Sequence, residues 1–70
     1  MNVSTITNAT DILELNDAVE TLINETGCEL DDSQTYEDSR EWFAQDNANG
    51  DSRAVGILDA AIVRLHELVA

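Results

Sequence analysis

The chain has 70 residues, one domain at most, and a chain of that length buries only about 60% of the surface its unfolded form exposes, so it is marginally stable. Its 15 acids face three bases, all arginine, for a formal net charge of −12; phosphate and anionic lipid repel such a surface, so direct binding to nucleic acid or a membrane is excluded and basic partners are favoured. The single cysteine forms no internal disulfide, no Cys/His cluster has zinc spacing, and no apolar run approaches the roughly 20 residues of a membrane span.

Residues 1–9 show no clear period and are expected to form an extended or frayed arm. The start, MNVSTITNATDI, lacks a basic n-region and an apolar core of roughly 7–15 residues, so no signal peptide is expected. With the lone cysteine this predicts a cytoplasmic protein. The sequons at Asn2, Asn8 and Asn24 are then coincidental. A hydrophobic content of 43% is ordinary for a folded domain and too high for a disordered tail.

Residues 10–26 repeat with a helical period. Ile12, Leu15, Ala18, Val19, Leu22 and Ile23 share one arc at about 100° per residue, opposite Glu14, Asp17, Glu20 and Glu25, with Leu13 alone on the polar side. Thr10 or Asp11 is the expected cap, Asp11 and Glu14 have capping-box spacing, and Gly27 suits the position just past the helix end.

The stretch 29-ELDDSQTYEDSREWF-43 holds six carboxylates and one arginine and ends on two adjacent aromatics. Leu30 with 31-DDSQT-35 reads as a loop. Thr35 followed by Asp38 has near-capping-box spacing, and a short helix over 36–46 stacks Tyr36, Arg40 and Phe43 along one side. Phe43 is expected in the core. Trp42, about 100° away on the helix, is divided between core and surface.

The segment 46-DNANGDS-52 is a loop by composition, with Asp51 or Ser52 capping a last helix over 52–70. Ala54, Val55, Leu58, Ala61, Ile62, Leu65, Leu68 and Val69 form its apolar stripe. Gly56 and Val63 fall on the polar side, and Gly56 costs about 1 kcal/mol relative to alanine unless a close helix–helix approach offsets it. The predicted fold is all-α: a small three-helix bundle of helices 10–26, 36–46 and 52–70 with an irregular N-terminal arm.

Two motifs invite comparison and fail. The segment 50-GDSRAVGIL-58 resembles the phosphopantetheine attachment site of acyl carrier proteins. The leucine that follows the serine there is replaced by Arg53, and the chain after Ser52 is too short for the remaining helices, so Ser52 is better read as a helix cap. The 46–52 loop breaks the calcium-loop register, with Ala48 at the third position and Ile57 at the twelfth. His66, in the last helical turn, complements the helix dipole and makes no catalytic pair with Cys28. No catalytic residue, no metal ligand and no cofactor is assigned, and an enzyme is not expected.

The charge is unevenly placed. Residues 1–46 hold twelve acids and Arg40, a net of −11, whereas residues 47–70 hold three acids and two arginines, a net of −1. Uniform adaptation to a saline cytoplasm would decorate both parts alike. The asymmetry favours an acidic face that imitates a nucleic-acid backbone and occupies a basic groove on a nucleic-acid-handling protein. Its expected residues are Asp11, Glu14, Asp17 and Glu20 from the first helix and Asp31, Asp32, Glu37, Asp38 and Glu41 from the middle segment, with Tyr36 and Trp42 as anchors. Small size, extreme acidity and the lack of a cofactor motif are traits shared with virus-encoded inhibitors of host defence, including anti-CRISPR and anti-restriction DNA mimics; a virus-encoded protein of this kind would work in the host cytoplasm. The alternatives are a helical module that self-associates through the apolar stripe of residues 54–69, its acidity serving only solubility or salt adaptation, and an antitoxin-like regulator of a basic toxin.

Overall fold

The computed structural model describes residues 3–31, 33–45 and 52–70. The described residues form α1 (Ser4–Thr7), α2 (Ile12–Glu25), α3 (Tyr36–Gln45) and α4 (Ser52–Val69). The expected helices are all present, with ends within a few residues of those read from the sequence. The assignment of Asp51 as a cap and the 46–51 part of the loop lie outside the described residues.

Local chemistry sets the helix ends. Asp11 caps α2, its Oδ1 accepting the Glu14 backbone N–H at 2.7 Å, while the Glu14 carboxylate accepts the Thr10 hydroxyl at 2.9 Å. The capping-box pair is therefore half made: the acid at the third position turns to the residue before the cap. At the other end the Gly27 N–H reaches the Asn24 carbonyl at 3.0 Å with a backbone φ of 87°, a left-handed turn that glycine makes without steric penalty. Thr35 caps α3 as its spacing predicts, its hydroxyl accepting the Asp38 N–H at 3.1 Å.

The core assembles around α4. Ala54, Ile57, Leu58 and Ala61 are fully buried and meet Leu15, Val19, Leu22 and Ile23 of α2. On its other flank α4 carries α3; the α2 and α3 backbones stay apart, and the Tyr36 side chain reaches across from α3 to Asn16 of α2. This sandwiched position widens the buried arc of α4 beyond the apolar stripe of the sequence and takes in Ile57. Val69, at the end of that stripe, is exposed.

The N-terminal arm differs from an extended or frayed segment. It makes one helical turn, and Ile6 and Ala9 are fully buried against α2 and α4. Four residues are too few to show a period, so the turn has no amphipathic signature. Burial holds it, together with Arg64 of α4, whose Nε and Nη2 both donate to the Ala9 carbonyl at 2.8 and 2.7 Å. Among the described residues no helix is long and apolar enough to cross a membrane.

Candidate acidic and aromatic interface

The acids of α2 divide between two surroundings. Glu14, Asp17 and Glu25 border a cavity of about 540 Å³ between α1 and α2, whose other walls include Ser4, Thr5 and Thr21. Glu20 turns the other way and borders a cavity of about 200 Å³ together with Asn16, Leu30, Asp31, Gln34 and Tyr36. The first helix and the middle segment therefore meet at Glu20 and Asp31. The remaining α2 acids lie along the α1 side.

Asp31 is fixed by its own loop. Its Oδ1 accepts both the Ser33 hydroxyl at 2.6 Å and the Ser33 backbone N–H at 2.9 Å. These bonds, the hydroxyl's foremost, hold the Asp31 carboxyl below the usual carboxylate range against a small opposing effect of desolvation. Both fall on one oxygen, so the second carboxylate oxygen is left to other ligands. Asp32 lies outside the described residues.

Asp31 and Gln34 also belong to a second cavity, of about 240 Å³, completed by Glu29, Ser39, Trp42 and Phe43. Both aromatic anchors read from the sequence thus border cavities that share Asp31 and Gln34: Tyr36 on one side, Trp42 on the other. Adjacent helical positions do point apart here. Phe43 is half-buried against the core, and Trp42 keeps 62% of its surface exposed.

Tyr36 stands at the junction of α2 and α3. Its phenol donates to the Asn16 side-chain oxygen, and burial pushes its pKa above the ordinary tyrosine value. Along α3, Tyr36, Arg40 and Phe43 are all half-buried, on the face that the spacing predicts. Glu37, Asp38 and Glu41 are exposed. Glu37 stands 3.8 Å from His66 Nε2, an ion pair when the imidazole is protonated, and Glu41 accepts the Gln45 amide at 3.1 Å.

The basic side chains are all engaged within the fold. Arg40 pairs with Asp59 of α4. Arg64 clamps the Ala9 carbonyl and reaches Glu67 at 3.4 Å. Arg53 approaches the Thr26 carbonyl at 3.5 Å, past the end of α2. Both carboxylates paired here with arginine, Asp59 and Glu67, belong to α4. Among the described residues the arginine–carboxylate pairs are Arg40–Asp59 and Arg64–Glu67, so the described carboxylates from Asp11 to Glu41 take no arginine partner, and Glu37 has His66 as a basic neighbour.

Glu29, Gln34 and Ser39 join this constellation without having been singled out by sequence. Glu29 opens the acidic stretch and was within reach of a charge argument. Nothing in the sequence marks Ser39, which is buried in α3. Of the apolar stripe of residues 54–69, Ala54, Leu58 and Ala61 are buried, Val55, Ile62, Leu65 and Leu68 are half-buried and Val69 is exposed; further apolar surface lies at Leu13, 82% exposed, which borders with Ile12 and Leu68 a shallow cavity of about 410 Å³. The chain matches no protein-family model, no curated protein and no solved structure.

Proposed function

We propose that the protein is a non-catalytic acidic inhibitor or regulator that binds a basic, nucleic-acid-binding site on a partner protein, in the manner of DNA mimics such as virus-encoded anti-CRISPR and anti-restriction proteins. One observation carries this reading: among the described residues the carboxylates between Asp11 and Glu41 have no arginine partner, and two exposed or half-exposed aromatics stand among them. Unpaired carboxylates at helical spacings of roughly 5–6 Å form a coarse copy of a phosphate row. Their field speeds encounter with a basic groove, and aromatic side chains supply the contact area that charge lacks.

The test is affinity capture with the immobilised protein, elution by rising salt, and duplex DNA as competitor. A nucleic-acid-binding protein released by moderate salt and by DNA is the expected outcome. The double variant Glu37→Lys with Glu41→Lys should lose that partner, because it reverses two charges on the exposed face of α3. Full retention of the partner by this variant removes the α3 face from the interface.

The exposed Ile12 and Leu13 favour a second reading, a self-associating helical module whose acidity serves solubility. Sedimentation of the same double variant separates the two, since self-association through an apolar patch survives the charge reversal.

A further inference from the structure

The cavity between the 29–34 loop and α3 has a composition that an acidic face alone does not require. We infer that it is a receptor for a single arginine side chain of the basic partner. This inference rests on the basic-partner reading above and adds the chemistry by which one residue of that partner is held.

The walls supply what a guanidinium needs. Glu29 and Asp31 bring two carboxylates, Gln34 an amide oxygen and Trp42 an indole, around a space of about 240 Å³. The Asp31 carboxylate is oriented in advance, because both bonds from Ser33 fall on Oδ1 and leave Oδ2 for an incoming donor. Ser39 also lines the cavity; it is 2% exposed, and its hydroxyl has no hydrogen-bond partner. Buried hydroxyls are nearly always satisfied, so an orphan in the wall of a cavity marks a place where a ligand group completes the bonding. Ser39 and the acids are independent features that border one space.

Arginine fits these walls better than lysine. Its planar fork carries five N–H donors that two separated carboxylates, an amide oxygen and a hydroxyl can share. Its flat, weakly hydrated face stacks on an indole, whereas an ammonium is compact and strongly hydrated. Trp42 is exposed beside the acids, where such stacking requires it.

Trp42 is the sole tryptophan, so its fluorescence reports on this cavity. The experiment titrates the full chain with a short arginine-rich peptide and with a lysine peptide of equal length and charge, following Trp42 emission and, separately, heat of binding. The arginine peptide should quench Trp42 saturably and bind more tightly than the lysine peptide. Ser39→Ala should weaken the arginine peptide about three- to tenfold, the range for one lost hydrogen bond, and leave the lysine peptide unchanged. Asp31→Asn should cost the arginine peptide more than Glu41→Gln, which removes the same charge from α3 outside the cavity. If both peptides bind equally, with Trp42 unquenched and Ser39→Ala silent, the arginine receptor is refuted while the basic-partner reading stands. If neither peptide binds by either readout, both fall together.

Discussion

Gly56 gives the sharpest test of the packing. It lies in the interior of α4, is exposed, and a Cβ built on it meets no heavy atom within 4 Å. The close helix–helix approach that would have explained a glycine there does not exist, so the residue carries the entropic cost of glycine without compensation. Gly56→Ala should stabilise the chain by about 0.8–1.0 kcal/mol. Gly27 is the opposite case: its surroundings are equally open, but its φ of 87° makes Gly27→Ala cost about 1–2 kcal/mol. Against a total of about 3.5–10 kcal/mol for a domain of this length, the two variants stand well apart. With a urea dependence of about 1 kcal/mol per molar, Gly56→Ala should raise the unfolding midpoint by nearly 1 M, and Gly27→Ala should lower it by at least as much. Circular dichroism under urea reads both. A midpoint for Gly56→Ala at or below the parent's would mean that something covers that face of α4, and the packing around it would need redrawing.

Three further outcomes follow from the geometry. Arg64→Met removes both donors from the Ala9 carbonyl and should cost about 2 kcal/mol, the range for a charged hydrogen bond at a half-buried site; amide exchange at Asn8 and Ala9 should quicken with it, and unchanged exchange would show that apolar burial alone holds the arm. The Tyr36 phenol has a folded pKa above its unfolded one, so its contribution to stability is complete below about pH 10 and is lost as pH rises through the folded value; Asp31 has the reverse sign, contributing above about pH 4 and losing that contribution as pH falls through its depressed value. Phenolate absorbance of the sole tyrosine, with a midpoint no higher than that of free tyrosine, would contradict the first. Ser39→Ala should raise stability by about 1 kcal/mol, because it removes a buried polar group without a partner; thermal unfolding reads the gain, and a loss would mean that the hydroxyl is bonded in the folded chain.

The elements legible in the sequence were those with periodicity and capping signals of their own. Leu15, Val19, Leu22 and Ile23 repeat at helical spacing over α2, and Thr35 and Gly27 mark ends by chemistry that acts within a few residues. What escaped depended on tertiary placement. Ile6 belongs to a single turn, too short for a period, and its burial is decided by α4 some fifty residues on. Ile57 sits beside the apolar arc of α4 and is buried because α4 has neighbours on two flanks. The same holds for the site. Asp31, Tyr36 and Trp42 could be picked out by residue type, but Glu20 meets Asp31 only through the fold, and Ser39 becomes notable only once its hydroxyl is buried.

The distribution of arginines turns the negative charge into a prediction of opposite signs. Asp11/Glu14, Glu14/Asp17, Asp17/Glu20 and Glu37/Glu41 are like-charge neighbours at helical spacing, each worth roughly 0.2–0.5 kcal/mol of destabilisation at low salt, together about 1–2 kcal/mol. Among the described residues the carboxylates paired with arginine are Asp59 and Glu67, outside these four pairs. Salt screens exposed charges within a Debye length of about 10 Å at 0.1 M, so raising sodium chloride from 0.01 to 0.5 M should stabilise the isolated chain by about 1 kcal/mol. The same screening should weaken a complex with a basic partner, because the carboxylates that repel one another are the ones that attract it. Urea midpoints across the salt series test the first half, and binding to the arginine-rich peptide across the same series tests the second. If stability falls with salt, the Arg40–Asp59 pair outweighs the repulsion, and the acidic face is not a source of internal strain. If stability rises while binding is indifferent to salt, the carboxylates repel but do not recruit, and the exposed Ile12 and Leu13 become the better place to look for a partner.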